Sequence, residues 1–473
     1  MRRLALLVVI LIPILTPYES FGIEKAVKER WMGVYSGKDK IGYSRTRIVT
    51  DNGGREASEQ MKLKMNVLGN DQDVDTNAKY LLHGFNLKSF EFFMKAGLVD
   101  LKVTGVRNGN ELEMKIASIS GDTKLNIPID EEPVVNPVLY DWLVSKNPEV
   151  GKSYEVLLFD PTAVLTGSEL GSSKAILTVE GKEEVSIPSG TFKTYRVKMN
   201  YLGLEDTAWI TPDGEVIKEV SPLGIVSLKE NREELVTDNI SSFDIVDKTA
   251  ISSNLKIDNP RDLESLRIRI GGIDSTDGLD LVDNYRQSIK DGLLEVRVGS
   301  LSDINTYQIP YTGKELRAYT QESTLIQSTN DEIVKEARLI LGDERDSLEA
   351  ARKINGWVYK NLEKTPTISL PNALDVLESR KGDCNEHATL FTALARAAGI
   401  PTKLVLGLVF LDGKFYYHAW NEVFVGKWIA VDPTFGQLPA DASHIKFVEG
   451  NLDKSAEILR LVGKIKLEVV EAS

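Results

Sequence analysis

Cysteine and histidine are scarce in this chain, and two of them lie close together in the stretch Lys381-Gly-Asp-Cys-Asn-Glu-His-Ala-Thr-Leu390. Cys384 is the single cysteine among 473 residues, and His387 is one of four histidines. Because this thiol has no partner for an internal disulfide, it is either a small buried apolar side chain or a nucleophile. For a lone cysteine, packing is the commoner role.

The residues around Cys384 predict that it lies in the first turn of a helix. Asp383 is a favourable N-cap, and Glu386 three positions later completes a capping box. Gly399 supplies a left-handed stop, so we expect a helix from Cys384 to Ala398. Free amides at its start lower the pKa of a thiol and can receive an oxyanion, whereas the neighbouring carboxylates oppose a thiolate. A nucleophilic thiol here therefore needs a positively charged partner.

Two histidines are candidates for that partner. His387 lies three positions after the thiol on the same helix, but no carboxylate is clearly placed to orient it. His418 begins a strand that turns at Gly426-Lys427 and returns to Asp432. A two-residue turn would place Asp432 and His418 on opposite faces of the hairpin, whereas a three-residue loop or a bulge places them on one face. We expect that irregularity if Asp432 orients His418 as a base.

Structural explanations compete with these chemical ones. His418 could be an ordinary strand histidine with satisfied hydrogen bonds. A zinc site formed by Cys384, His387 and His418 lacks the ligand spacing of a tetrahedral site, so no metal is expected. His83 and His444 have no supporting context in the sequence.

The elements that must position these residues divide the chain into five segments. Alternating apolar residues and turn signals such as Pro212-Asp213-Gly214 indicate an antiparallel sheet or open barrel, and a later β module of sandwich type. Helical spacing from residue 329 onward, followed by strands, indicates an α+β domain. We predict a signal peptide over 1–22, an antiparallel β-rich domain over 23–246, a small β module over 247–319, the α+β domain over 320–450 and a C-terminal tail with a final strand over 451–473.

Composition limits the partners and the compartment. The chain has 57 basic and 70 acidic residues, a formal net charge of −13, so nucleic acid and anionic membranes are not expected partners. The basic start Met1-Arg-Arg3 and the apolar run Leu4–Leu15 are typical of a secretory signal, with an uncleaved anchor as the alternative. We therefore expect an exported, periplasmic protein with no membrane span in its mature part.

Four motifs of this chain, taken together, resemble those of the transglutaminase-like superfamily of papain-like cysteine enzymes. The motifs are Gly382–Ala388, Ala395–Thr402, His418–Val423 and Trp428–Thr434. The resemblance covers residues 320–450, about a quarter of the chain, and implies a papain-like α+β fold there.

The resemblance also implies roles for individual residues. Cys384 would be the nucleophile, His418 the base and later the acid, and Asp432 the group that orients His418. The amide of Cys384 would form part of the oxyanion hole, and Trp357 is the only suggestion for an upstream donor. No cofactor is implied, and no acidic loop that would demand calcium is visible.

The implied activity is attack on the amide carbonyl of a peptide bond or a glutamine side chain through a thioester. Hydrolysis by water would make a peptidase or amidase, and attack by a lysine amine would make a cross-linking enzyme. We expect hydrolysis, with a protein or peptide as substrate and another envelope protein as a further candidate partner. The alternative is a non-catalytic envelope binding protein that retains a relic triad. The sequence does not indicate an oligomeric state.

Overall fold

The computed structural model describes residues 26–473 except 52–53, 68, 98, 119–120, 162–171, 222, 236–239, 274–278, 283–284, 303, 324, 366–371, 451–457 and 459–460. The predicted signal peptide over 1–22 lies outside the described residues. None of the helices among the described residues is long and apolar enough to cross a membrane.

Strands make up most of the elements. They are β1 Ala26–Ser36, β2 Asp39–Thr50, β3 Arg55–Val67, β4 Asn70–His83, β5 Asn86–Ala96, β6 Val99–Asn108, β7 Glu111–Ser118, β8 Gly121–Pro128, β9 Val134–Val135, β10 Ser153–Phe159, β11 Ser172–Ile187, β12 Gly190–Tyr201, β13 Leu204–Ile210, β14 Val216–Val220, β15 Ile225–Lys229, β16 Phe243–Asp244, β17 Ile251–Ser252, β18 Ser265–Gly271, β19 Gln287–Lys290, β20 Leu293–Arg297, β21 Glu363–Lys364, β22 Lys381–Gly382, β23 Thr402–Leu411, β24 Lys414–Phe424, β25 Trp428–Val431, β26 Ile445–Glu449 and β27 Lys466–Ala472. The helices are α1 Leu139–Ser145, α2 Arg232–Leu235, α3 Ile245–Thr249, α4 Asp331–Leu341, α5 Ser347–Asn361, α6 Ala373–Ser379 and α7 Cys384–Ala397.

The first half of the chain forms one large, mostly antiparallel sheet. Its strand order is β8 to β1 and then β15 back to β9, with β16 pairing in parallel with β3 and β9 in parallel with β10. The sheet curls on itself, since β5 approaches β9 and Phe90 of β5 contacts Phe159 of β10 with ring centroids 4.9 Å apart. Helix α1 packs inside with Leu139 and Leu143 fully buried. This curled antiparallel sheet agrees with the sheet or open barrel expected from the alternating sequence.

Two smaller sheets share one hydrophobic core. The strands β19, β20, β18 and β27 form the first, so the C-terminal strand completes the small β module rather than standing apart as a tail. The second holds β24, β23 and β26, with β17 and β25 both paired to β24. Leu266 and Val296 of the first sheet pack in the same cluster as Phe410, Phe415 and Phe447 of the second. The small module is therefore built onto the sheet of the α+β region.

Helices α4 to α7 cover the other side of that second sheet. They share a cluster that includes Ile333 of α4, Ile354 of α5, Leu377 of α6, Leu394 of α7 and Val431 of β25. All five side chains are buried, so the apolar spacing of the sequence marks the faces that meet. Helix α7 is central to this layer and contacts both β23 and β24. Pro371, a residue type that favours the first turn of a helix, precedes α6 in the sequence and lies outside the described residues.

Candidate active site

The N-terminus of α7 is built as the capping box predicts. The side chain of Asp383 accepts a hydrogen bond from the Asn385 amide at 2.9 Å, and Glu386 Oε2 accepts one from the Asp383 amide at 2.7 Å. The helix begins at Cys384 and ends at Ala397, one residue earlier than expected. The thiol therefore lies in the first helical turn, where peptide amides have no partner within the helix.

Cys384 lies against an unpaired stretch of strand edge. Strand β23 occupies one edge of β24, while β17 pairs with residues 414–415 and β25 with residues 421–424 on the other. Among the described residues, no strand covers 416–420 on that second edge. The Ala419 amide, within this gap, donates a hydrogen bond to the thiol sulfur, and Cys384 packs against the small apolar cluster that includes Ala419. The sulfur is thereby held beside the backbone of the residue that follows His418.

The hairpin of β24 and β25 has the irregularity expected from the sequence. Phe424 pairs with Trp428, so Val425, Gly426 and Lys427 form a three-residue loop. Continuing this register brings Asp432 opposite Trp420 and leaves His418 diagonal to it. The prediction of a loop longer than two residues is confirmed.

That register joins the two predicted partners. His418 Nε2 and Asp432 Oδ2 lie 2.8 Å apart, and both side chains are buried. The His418 ring also stacks near-parallel to Trp420 and Phe435, with centroids 6.1 and 5.2 Å away. Because Nε2 is engaged by the carboxylate, Nδ1 is the ring nitrogen left to exchange a proton with a thiol.

The second oxygen of Asp432 is held by backbone. Asp432 Oδ1 accepts hydrogen bonds from the amides of Thr434 at 2.6 Å and Phe435 at 3.0 Å. Burial raises the pKa of Asp432, but His418 and then His444 lower it by more, so the net pKa lies well below the usual value. The carboxylate is therefore ionised throughout the neutral range.

His444 is the residue of this site that sequence reasoning missed. Its Nε2 lies 2.8 Å from the same Asp432 Oδ2, and its Nδ1 lies 3.2 Å from Asp441 Oδ1. The ring is fully buried between β24 and the loop after β25. The sequence signal was an aspartate three positions before the histidine, ahead of β26, but nothing local connects that pair to Asp432. The expectation that His444 has no functional context is corrected by this geometry.

The other residues considered from the sequence either have different contacts or lie in other parts of the structure. His387 is buried, and its Nδ1 lies 2.6 Å from the Asp383 carbonyl, which ties the ring to its own helix. Burial lowers its pKa, so it is neutral at pH 7 and cannot supply the positive charge. Trp357 stacks under the Arg380 guanidinium at 4.4 Å, and no contact recorded for the described residues joins it to Cys384. His83 is exposed at the end of β4 in the curled sheet.

The electrostatic setting of the thiol is unfavourable to a resting thiolate. Burial raises the pKa of Cys384 well above its usual value, and Asp383, Glu386 and Asp432 raise it further, whereas the Ala419 amide lowers it. The protonated thiol is therefore the favoured resting form of Cys384. A base must remove the thiol proton when a bond to sulfur forms.

Three donor atoms could in principle hold a metal ion. His418, Asp432 and His444 offer ligand atoms within 4.8 Å of one another. Both separations from Asp432 Oδ2 are 2.8 Å, however, which is the length of a charge-assisted N–H···O hydrogen bond. The three side chains therefore form a hydrogen-bonded chain.

Comparison with known proteins agrees with this arrangement. The model of the transglutaminase-like superfamily matches residues 335–433, a range that includes Cys384, His418 and Asp432. The chain contains a transglutaminase-like domain. The resemblance noted from the four sequence motifs is thereby confirmed for this part of the chain.

Curated relatives are similar over part of the chain. Human kyphoscoliosis peptidase is 28% identical over 149 residues, which cover 28% of this chain and 22% of the human protein. An uncharacterized protein of Haemophilus influenzae is 38% identical over 84 residues, covering 16% of this chain and 23% of that protein. The chain spans about a fifth of the length of the curated relatives it matches.

A solved structure is similar in outline. A protein from Cytophaga hutchinsonii described as a candidate cysteine protease matches 45% of this chain and 85% of its own, at 19% identity and a TM-score of 0.30. That overlap is too loose to bear on the function of this chain.

Proposed function

We propose that this protein is a cysteine-dependent amide hydrolase that acts on protein or peptide substrates through a thioester. The observation that carries this proposal is the 2.8 Å contact of His418 Nε2 with Asp432 Oδ2, beside the strand residue whose amide holds the sulfur of Cys384. An oriented imidazole and a neutral thiol suit proton transfer coupled to attack on a carbonyl.

The proposed acylation step moves one proton and forms one bond. His418 Nδ1 takes the proton of the Cys384 thiol as the sulfur attacks the amide carbon. The developing oxyanion receives a hydrogen bond from the Cys384 amide at the free start of α7. His418 then returns the proton to the leaving amine, the C–N bond breaks, and a thioester remains on the sulfur.

The proposed deacylation step restores the enzyme. His418 Nδ1 removes a proton from a water molecule, whose oxygen attacks the thioester carbon. The tetrahedral adduct collapses to a carboxylic acid, and the proton returns from His418 to the Cys384 sulfur. A lysine amine in place of water would yield an isopeptide cross-link. We favour water because it is abundant.

We also propose export to the periplasm, on the basis of the basic and apolar N-terminal residues Met1–Leu15. The competing function is that of an envelope binding protein with an inactive triad. An ionised Asp432 that binds His418 favours the enzyme, because this contact orients the imidazole as a base requires.

Reaction in ¹⁸O-labelled water distinguishes hydrolysis, transamidation and the absence of activity. The protein is incubated with casein and a primary amine, and the products are examined by mass spectrometry. Hydrolysis places ¹⁸O in new peptide C-termini or in glutamates formed from glutamines, whereas transamidation adds the amine without ¹⁸O. The matched control is Cys384→Ala, which should form neither product. Casein turnover equal in the two proteins would contradict the proposal.

A further inference from the structure

His444 lies within a chain of alternating charges that extends from the candidate active site into the small β module. Asp432 Oδ2 contacts His444 Nε2 at 2.8 Å, and His444 Nδ1 contacts Asp441 Oδ1 at 3.2 Å. Asp441 in turn forms an ion pair with Arg261 at 3.1 Å. The charged groups therefore follow one another in a fixed order, which is the Arg261 guanidinium, the Asp441 carboxylate, the His444 imidazole, the Asp432 carboxylate and the His418 imidazole.

The loop that carries His444 is itself held by a buried arginine. The Arg286 guanidinium donates hydrogen bonds to the carbonyls of Ala440 at 2.7 Å, of Asp441, and of His444 at 3.3 Å. Arg286 immediately precedes β19 and is 4% exposed. Arg286 of the small β module therefore holds the backbone of residues 440–444, which carries the His444 ring.

Both ring nitrogens of His444 face carboxylate oxygens. A carboxylate oxygen can only accept, so each contact requires a proton on the nitrogen, and two such contacts require an imidazolium. Burial lowers the pKa of His444, but its hydrogen bonds to Asp432 and Asp441 raise it by more, so the net pKa is raised. The ionisable groups around the ring are Asp432, Asp441, His418, Arg261 and Arg286.

We propose that His444 is a positioning residue, a buried imidazolium that holds Asp432 in place and offsets part of its negative charge. The inference rests on the proposed roles of Cys384 and His418. One effect is geometric, because Asp432 Oδ2 is shared by two N–H donors and cannot rotate away from His418. The other is electrostatic, because a cation beside Asp432 weakens the field that this carboxylate exerts on His418 and on the thiol.

The electrostatic effect has a defined sign. A neutral side chain at position 444 would leave the charge of Asp432 uncompensated. The pKa of the thiol would rise, since a nearby negative charge disfavours a thiolate. Thiolate-dependent chemistry would therefore move to higher pH, by about one pH unit.

Nuclear magnetic resonance of the wild-type protein tests the charge of His444 directly. In ¹⁵N-histidine-labelled protein at pH 7, both ring nitrogens of His444 should resonate together, as in an imidazolium. A pair of widely separated resonances at pH 7, as in neutral imidazole, would overturn the proposal. This measurement requires neither a substrate nor a variant, so it stands if His444 variants do not fold.

Alkylation of Cys384 by iodoacetamide tests the influence of His444 on the thiol. The rate is measured against pH for the wild type, for His444→Gln, and for His83→Gln as a control at an exposed histidine. We expect the midpoint for His444→Gln to rise by about one unit and that for His83→Gln to stay unchanged. An unchanged midpoint in His444→Gln, even with a lower melting temperature, would mean a merely structural role.

The variant His418→Ala separates failure of this inference from failure of the proposed function. If His418→Ala leaves the alkylation profile unaltered, the proposed pairing of Cys384 and His418 is wrong. If the profile responds to His418→Ala but not to His444→Gln, only the role of His444 is wrong.

Discussion

Asp432 is the residue on which the most contacts of the candidate site converge. Its two oxygens accept hydrogen bonds from two backbone amides and two imidazoles. A buried carboxylate with this many donors has a depressed pKa, so it stabilises the folded state above about pH 4 and loses that contribution as the pH falls through its folded pKa. The same contacts fix the tautomer of His418.

Asp432→Asn should therefore reduce both activity and stability. The side-chain amide of the asparagine can place an N–H group against the N–H donors of His418 and His444. The hydrogen bond that orients His418 would then be lost, so kcat/KM should fall by about a thousandfold or more. The melting temperature should drop at pH 7, and the difference from wild type should shrink below about pH 4. Kinetics and calorimetry check this, with Asp100→Asn on the exposed face of β6 as the control. Full activity in Asp432→Asn would rule out the orienting role.

Residue types and spacing predicted part of the site and could not predict the rest. Cys384, His418 and Asp432 could be named as candidates because a capping box and the hairpin spacing are local signals. His444 was missed because its link to Asp432 depends on the path of the loop between β25 and β26, and on Arg286 from more than 150 residues earlier. Hydrogen-bond partners so distant along the chain leave no periodic signal.

The hairpin of β24 and β25 is the element that decides whether His418 and Asp432 share a face. Its three-residue loop has Gly426 at a φ of +109°, a conformation that side chains rarely adopt. A Cβ at Gly426 would also lie 2.2 Å from the Asn305 carbonyl oxygen. Loop length and this glycine together set the register.

Substitution of Gly426 by alanine should disturb that register. Gly413, in the preceding loop, also has a positive φ of +83°, but a Cβ there would meet nothing within 4 Å. Gly413→Ala should therefore lower the free energy of unfolding by about 1 kcal/mol from backbone strain alone. Gly426→Ala should lower it by about 2–4 kcal/mol, because the segment of Asn305 must also move. Chemical denaturation checks both, and equal losses would contradict the contact with Asn305.

At the scale of the whole molecule, the curled sheet carries ionisable groups on its inner side. Burial raises the pKa of Glu219 to about 7, with Asp206 adding to the effect, and burial raises the pKa of Asp206 to about 6. A carboxyl group with a raised folded pKa binds its proton more tightly in the folded state. The stability of this half should therefore decrease as the pH rises from about 4.5 to 7.

Glu219→Gln should remove the loss of stability that ionisation of Glu219 causes as the pH rises. At pH 8 the free energy of unfolding of the variant should exceed that of the wild type by about 1–2 kcal/mol, since solvent near this partly exposed side chain weakens the effect of burial. At pH 4 the variant should be no more stable than the wild type. Glu113→Gln, on the exposed face of β7, is the matched control and should change little at either pH. Urea denaturation at the two pH values measures the difference, and a variant less stable at pH 8 would refute this account of Glu219.

The prediction of the fold was also limited by pairing between strands that are far apart in the sequence. The antiparallel β-rich first half and the α+β region follow from alternation, turns and helical spacing. The pairing of β27 with β18 joins residues about 200 positions apart, and the core shared by Leu266 and Phe447 has no local sign. A separate tail and module were the natural expectation, because strand partners cannot be read from the strand sequences alone.

The dependence of Cys384 reactivity on His418 tests the central claim most directly. Iodoacetamide is added to wild type, His418→Ala and the control His83→Ala at pH 7, and alkylation of Cys384 is followed by mass spectrometry. We expect His418→Ala to slow alkylation by about tenfold or more and His83→Ala to leave it unchanged, because only His418 accepts the thiol proton. Equal rates in the three folded proteins would contradict the proposed chemistry.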